Sequence, residues 1–176
     1  MAGLQRNSSL RVEVVPAPPE QEPLLANLFE LYAHDFSEFV ALELGADGRF
    51  GFAQLPSYWT EPGRHPFLVR VNGHPAGFVL VWKGSQVSGD AEVWDVAEFF
   101  VIRRYRRLGV GTAAAHAVWR RLPGRWEVRV LDQNQRAQAF WARAVGEFTG
   151  DAAAPKVVDS EGVRWHVFSF ESEAGD

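Results

Sequence analysis

The sequence predicts an α/β chain built as a mixed sheet with helices on its faces, and three observations carry this. Hydrophobic periodicity gives the element order β, α, α, β, β, β, α, β, α, β, β. The dipeptide Asn72-Gly73 between two apolar runs marks an antiparallel hairpin, because both residues tolerate the positive φ of a type I′ turn. Helical segments alternate with strands in the second half, which calls for crossover connections and so for helices packed on a sheet. At 176 residues the chain suffices for one hydrophobic core, so the expected layout is a flexible N-terminal tail at 1–9, one domain at 10–171 and a C-terminal tail at 172–176.

Leu10, Val12 and Val14 alternate with polar neighbours as in a half-buried strand, which Pro16, Pro18 and Pro19 end. From Glu20 the spacing Leu24, Leu25, Leu28, Leu31, Tyr32 makes an amphipathic helix, with acidic residues in the first turn where the helix dipole favours them. His34 to Leu44 (HDFSEFVALEL) reads as a second short helix, and Gly45 to Gly63 as a long loop with Tyr58 and Trp59 prominent. The hairpin joins His65–Val71 to Ala76–Lys83, and Ala91–Ile102 is the next strand. After a glycine-rich helix start come a strand at Arg125–Leu131 and a helix at Asn134–Ala144 with Ala137, Phe140, Trp141 and Ala144 on one face. Gly146 to Val158 is extended and interrupted, and Val163–Phe170 closes the fold as a strand.

Composition excludes several classes of function. There is no cysteine, so disulfides, thiolate metal sites and a Cys nucleophile are ruled out. His34, His65, His74, His116 and His166 lack metal-ligand spacing, and no metal site is expected. A net charge of −4 argues against nucleic acid as a partner. No apolar run is long enough to span a bilayer and the first ten residues carry no hydrophobic signal core, so no membrane partner and a cytoplasmic location are expected. Oligomeric state stays open, a homodimer included.

Trp94 to Trp119 (WDVAEFFVIRRYRRLGVGTAAAHAVW) reads as strand, arginine-rich loop and helix. A helix start has unpaired N–H groups; glycines let backbone approach closely; Arg103, Arg104, Arg106 and Arg107 add positive charge. Together they suit a phosphate or pyrophosphate. Gly109, Gly111 and Ala114 also satisfy the dinucleotide pattern G-x-G-x-x-G/A, with Asp132 about twenty residues on as a ribose-binding acid, which would make an NAD(P)-binding oxidoreductase. Against it stand the spacer IRRYRRL between strand and glycines, and a strand fed by an antiparallel hairpin.

The segment Arg106-Arg107-Leu108-Gly109-Val110-Gly111 resembles the R/Q-x-x-G-x-G/A pyrophosphate loop of the GCN5-related N-acetyltransferases (the GNAT superfamily), approached by Val101 to Tyr105. Downstream, Asn134, Ala137 and Phe140-Trp141 resemble that family's N-x-x-A-x-x-F-Y segment beside coenzyme A. The element order is similar too. The resemblance implies an α/β (α+β) fold with a mixed, mostly antiparallel central sheet flanked by helices on both faces. It implies acetyl-CoA as co-substrate and an amine acceptor, either a small molecule or a protein amino group. It further implies that amides matching Arg107, Leu108, Gly109, Val110, Gly111 and Thr112 hold the pyrophosphate, that Phe99 and Val101 pair with the pantetheine arm, and that Asn134 and Phe140 lie beside it.

Acetylating an amine requires its free base, so a proton acceptor near neutrality is needed. Asp95 and Glu98 on the central strand are the two candidates; a period of two puts Asp95 on the face of Ala97, Phe99 and Val101, and Glu98 with Val96, Phe100 and Ile102. Apolar neighbours would raise either carboxyl's pKa. The family's usual tyrosine acid corresponds here to Trp141, whose indole is no acid, leaving Tyr105 or solvent to protonate the thiolate. That absence keeps open a non-catalytic acyl-CoA-binding or sensory module. Tyr32, Asp35 and Tyr58 are expected to flank the acceptor, with Asp35 as an alternative cap for the second helix.

Overall fold

The computed structural model describes residues 10–173. Strands β1 (Val12–Pro16), β2 (Arg64–Val71), β3 (His74–Lys83), β4 (Trp94–Val101), β5 (Gly124–Leu131), β6 (Lys156–Ser160) and β7 (Val163–Ser172) form one sheet in the order β1-β2-β3-β4-β5-β7-β6. Among the described residues four α-helices accompany it: α1 (Glu22–Phe36), the single turn α2 (Ser57–Thr60), α3 (Val110–Arg121) and α4 (Gln135–Thr149). Every neighbouring pair is antiparallel except β4 and β5, which the α3 crossover joins in parallel. This is the mixed, mostly antiparallel sheet that the sequence and its resemblance imply.

Two apolar layers hold the sheet. On one face α3 and α4 bury Val110, Ala114, Val118, Trp119, Trp141 and Ala144 against Val96, Val101, Trp126, Val128 and Phe168. On the other, α1 and α2 bury Leu25, Leu28 and Tyr58 against Leu68, Phe78, Leu80 and Phe100. Trp119, fully buried, lies 4.6 Å from Phe170 and 6.4 Å from Trp126 between ring centroids, so helix and sheet are locked by aromatic contacts. The turn at Asn72 (φ 51°) and Gly73 (φ 80°) has the two positive φ angles its sequence requires.

Three expectations are corrected. The helix expected at His34–Leu44 does not form: α1 runs through His34 to Phe36, and the chain then leaves it in turns and irregular backbone. Instead of continuing, that segment is stitched to α1, because Glu30 accepts from the Phe50 N–H at 2.8 Å and the Gly51 N–H at 2.9 Å. Helix α4 continues five residues past Ala144, through Gly146, and ends at Gly150 in the left-handed conformation. Strand β7 includes Ser172, which is buried and donates to the Trp119 carbonyl at 2.6 Å, one residue beyond the expected domain end. The expected tail at 1–9 lies outside the described residues, as do the last three residues of the C-terminal one.

Candidate active site

Pairing between β4 and β5 stops almost where it starts. Only Trp94 with Trp126 and Asp95 with Glu127 are in register; from Val96 onward the β4 edge facing β5 has no strand partner, while its other edge stays paired with β3 through Val101. The two strands splay, and the backbone of Phe99 and Val101 borders the gap. An edge with free N–H and C=O groups is a ready template for an extended amide-bearing ligand.

The loop after β4 makes the second half of the site. A short turn at Arg103–Tyr105 leads through Arg107 (φ 61°) to Gly109 (φ 80°), which caps α3 with no side chain in the capping role. Ala113 is the first residue of α3 whose N–H bonds back, to the Gly109 carbonyl at 3.0 Å, so the amides of Val110, Gly111 and Thr112 have no acceptor within the helix. A Cβ at Gly109 would meet nothing within 4 Å, which leaves open the approach to those amides. Gly111 has a different role: its Cβ would stand 3.0 Å from the Phe140 ring, so glycine there lets α4 pack close. Phe140 in turn lies 5.7 Å from Phe99. Asn134 caps α4 by accepting from the Ala137 N–H at 3.1 Å.

A β-bulge changes which face the carboxylates share. Leu80 pairs with Glu98 but Val81 pairs with Val96, leaving one extra residue in β4 at Ala97. The period of two breaks there. Val96 joins Phe99 and Val101 in the layer under α3, whereas Asp95 is brought to the α1 side with Glu98 and Phe100. The expectation of opposite faces for Asp95 and Glu98 is thus overturned.

Glu98 is half-buried and accepts from the Tyr32 hydroxyl on α1 at 2.5 Å. Burial raises its pKa to about 7, with Asp95 adding to the rise and the Tyr32 bond and Arg129 opposing it. Burial likewise pushes the Tyr32 and Tyr58 phenols up, the Glu98 charge adding to each, so both stay protonated donors. Asp95 is fully buried and receives Arg129 of β5 at 2.9 Å across the foot of the splay; burial still raises its pKa above the ordinary carboxylate value. Arg129 also lies over the Trp165 ring at 5.1 Å.

Asp35 neither caps a helix nor stands free. Its two oxygens take Arg103 and Arg106 at 2.6 Å each. Burial alone would raise its pKa, but the two arginine hydrogen bonds outweigh that and lower it. Tyr58 is buried against Phe52, with Arg64 over its ring at 5.2 Å. Trp141 is a core residue, 4.8 Å from Phe99, and no ionisable group takes its place. Tyr105 is half-buried, with Arg104 over its ring at 5.9 Å.

Arg129 and Trp165 complete the site without having been singled out in the sequence. In RWEVRVL, Arg129 falls on the polar side of a half-buried strand, and only the parallel crossover aims it at Asp95. The dinucleotide reading fails on the sheet, which is not doubly wound, and Asp132 instead bonds His166 on β7 at 2.8 Å. Among the described residues no group of His, Asp and Glu could hold a metal ion, and no helix is long and apolar enough to cross a membrane.

The model of the acetyltransferase (GNAT) family matches residues 25–146. Similar solved structures include an acetyltransferase from Thermus thermophilus, 21% identical over 93% of this chain and 98% of that one, with a TM-score of 0.69. The GNAT domain of S. lividans PAT is 18% identical over 93% and 95%, with a TM-score of 0.65. The aminoglycoside acetyltransferase AAC(6')-Ib in complex with coenzyme A is 13% identical over 92% and 95%, with a TM-score of 0.68. At these identities the likeness is one of fold. No curated protein matches the chain.

Proposed function

The chain belongs to the acetyltransferase (GNAT) family and is an acyltransferase, and we propose that it moves an acetyl group from acetyl-CoA to a primary amine by direct attack. The acceptor is a small molecule or a protein amino group, and the enzyme works as a single cytoplasmic domain. One observation carries this: the unpaired β4 edge runs from the half-buried carboxylate Glu98 to a helix start whose amides are free.

The residues fit the group. Free amides from Arg107 to Thr112, with the open approach at Gly109, suit the pyrophosphate, and the backbone of Phe99 and the N–H of Val101 suit the pantetheine amides, the Val101 carbonyl being held by Arg106. Bound acetyl-CoA supplies the activated acyl carbon. Glu98, with a pKa of about 7, takes the proton of the incoming ammonium, directly or through one water. Tyr32 fixes the carboxylate's orientation by its hydrogen bond. The buried Asp95–Arg129 pair sets the field around Glu98 and anchors the foot of the splay. Tyr105 or solvent returns a proton to the departing thiolate. Because Trp141 cannot donate one, a second reading is a sensory module that binds acyl-CoA without turnover.

Thermal shift and calorimetry with acetyl-CoA and with NAD(P) test the ligand. Ligand at 100 times its Kd stabilises by about 2.7 kcal/mol, which raises the Tm of a domain this size by roughly 5–11 °C. Acetyl-CoA is expected to give that shift; stabilisation by NAD(P) alone would overturn the proposal.

A further inference from the structure

The end of α1 touches both halves of the site. Tyr32 bonds Glu98, and one turn later Asp35 holds Arg103 and Arg106 of the loop. An acidic side chain in the last turn of a helix works against the helix dipole, so Asp35 is stable there chiefly because two guanidiniums meet it. The two differ in how they are held. Arg106 is anchored twice, donating also from Nε to the Val101 carbonyl at 2.7 Å. Arg103 has Asp35 alone, and its side chain is 75% exposed. Among the described residues Arg104 and Arg107 make no ion pair.

We propose that Asp35 is a positioning residue that competes with the phosphates of coenzyme A for Arg103, so that filling the loop releases the end of α1 beside Glu98. This rests on the loop being the pyrophosphate site. A carboxylate and a phosphate are alternative anions for one guanidinium, and the phosphate carries more charge. When Arg103 turns to it, Asp35 keeps only Arg106, and the hold on the last turn of α1 weakens. Tyr32 stands in the turn before it, so cofactor binding loosens the helix end beside the base before the acceptor is needed.

The test is calorimetry with coenzyme A at rising NaCl on the wild type, Asp35→Asn and Arg103→Gln, with amide hydrogen exchange over α1. Asp35→Asn is expected to bind coenzyme A roughly two- to fivefold more tightly at low ionic strength, the range for exposed ion pairs. The gain should vanish near 1 M salt, where the Debye length is about 3 Å. Arg103→Gln, which breaks the same contact from the loop side, is expected to bind more weakly. In the wild type, coenzyme A should speed exchange at the amides of Ser37 and Val40, which bond back into α1 at 2.9 and 3.3 Å. In Asp35→Asn that exchange should be fast from the start. Equal or weaker binding by Asp35→Asn, beside a wild type that binds, would overturn the competition and leave the loop reading intact. A wild type that does not bind coenzyme A would overturn both.

Discussion

Replacing Glu98 by Gln keeps the side chain's shape and its acceptor for Tyr32 while removing the charge. Burial holds the Glu98 pKa at about 7, against an ordinary 4.5, so between those values the folded protein keeps a proton that the unfolded chain has released. Stability then falls as pH rises through that window, and an ionised Glu98 is a cost at high pH. The gap between 4.5 and about 7, at about 1.4 kcal/mol per pKa step, bounds the cost at about 3 kcal/mol. Glu98→Gln escapes it. Thermal melts of both proteins from about pH 5 to about pH 9 should coincide at the acid end and separate above neutrality, the variant melting higher by up to roughly 6–12 °C. In turnover, the same variant should lose the rising limb of kcat/KM near pH 7 and fall by about 10²–10⁴-fold. A constant offset between the melts at every pH would mean that Glu98 titrates like a solvated carboxylate, and it could not then serve as a base poised near neutrality.

Two further substitutions probe the frame of the site. Arg129→Met would leave Asp95 buried and unpaired, at a cost of about 3–5 kcal/mol in urea denaturation, and adding Asp95→Asn should restore much of it; a single variant within about 0.5 kcal/mol of the wild type would refute the pairing. Gly111→Ala places a Cβ 3.0 Å from Phe140 and should cost about 1–3 kcal/mol, relieved by Phe140→Ala with a coupling above about 0.5 kcal/mol in a double-mutant cycle. Simple additivity would mean that Phe140 yields freely.

Local chemistry was legible in the sequence wherever it was decided locally. Asn72-Gly73 could make only a tight turn with positive φ, and the β2–β3 hairpin follows from it. Gly109 at the head of a small-residue helix gave the loop and its free amides. Features set by distant partners were not legible. The bulge at Ala97 depends on the register of β3, and it moved Asp95 to the face of Glu98 against strict alternation. The splay depends on β5 taking β7 rather than β4 along most of its length. Phe36 and Phe39 have helical spacing, yet only Phe36 belongs to α1, its ring stacked beside Tyr32, and Phe39 lies in the turn after it, 6.2 Å from Phe36, where Glu30 draws the following loop onto α1. Gly146 looked like a breaker, but a Cβ there would approach the Asp151 carbonyl at 3.1 Å, so glycine lets the chain fold back after a helix that runs on. Asp35 was read at a junction of two helices, but it lies in the last turn of α1 itself, and its two arginine partners, sixty-eight and seventy-one residues away, came only with the fold.

The central claim is acetyl transfer from acetyl-CoA to an amine, and thiol release measured over a panel of amines, with mass spectrometry of the acceptor, tests it most directly. The expected result is coenzyme A released in step with an acetylated acceptor, at a rate that rises with pH through about 7. Tight binding of acetyl-CoA with no thiol released on any acceptor would contradict it and make the protein a sensor.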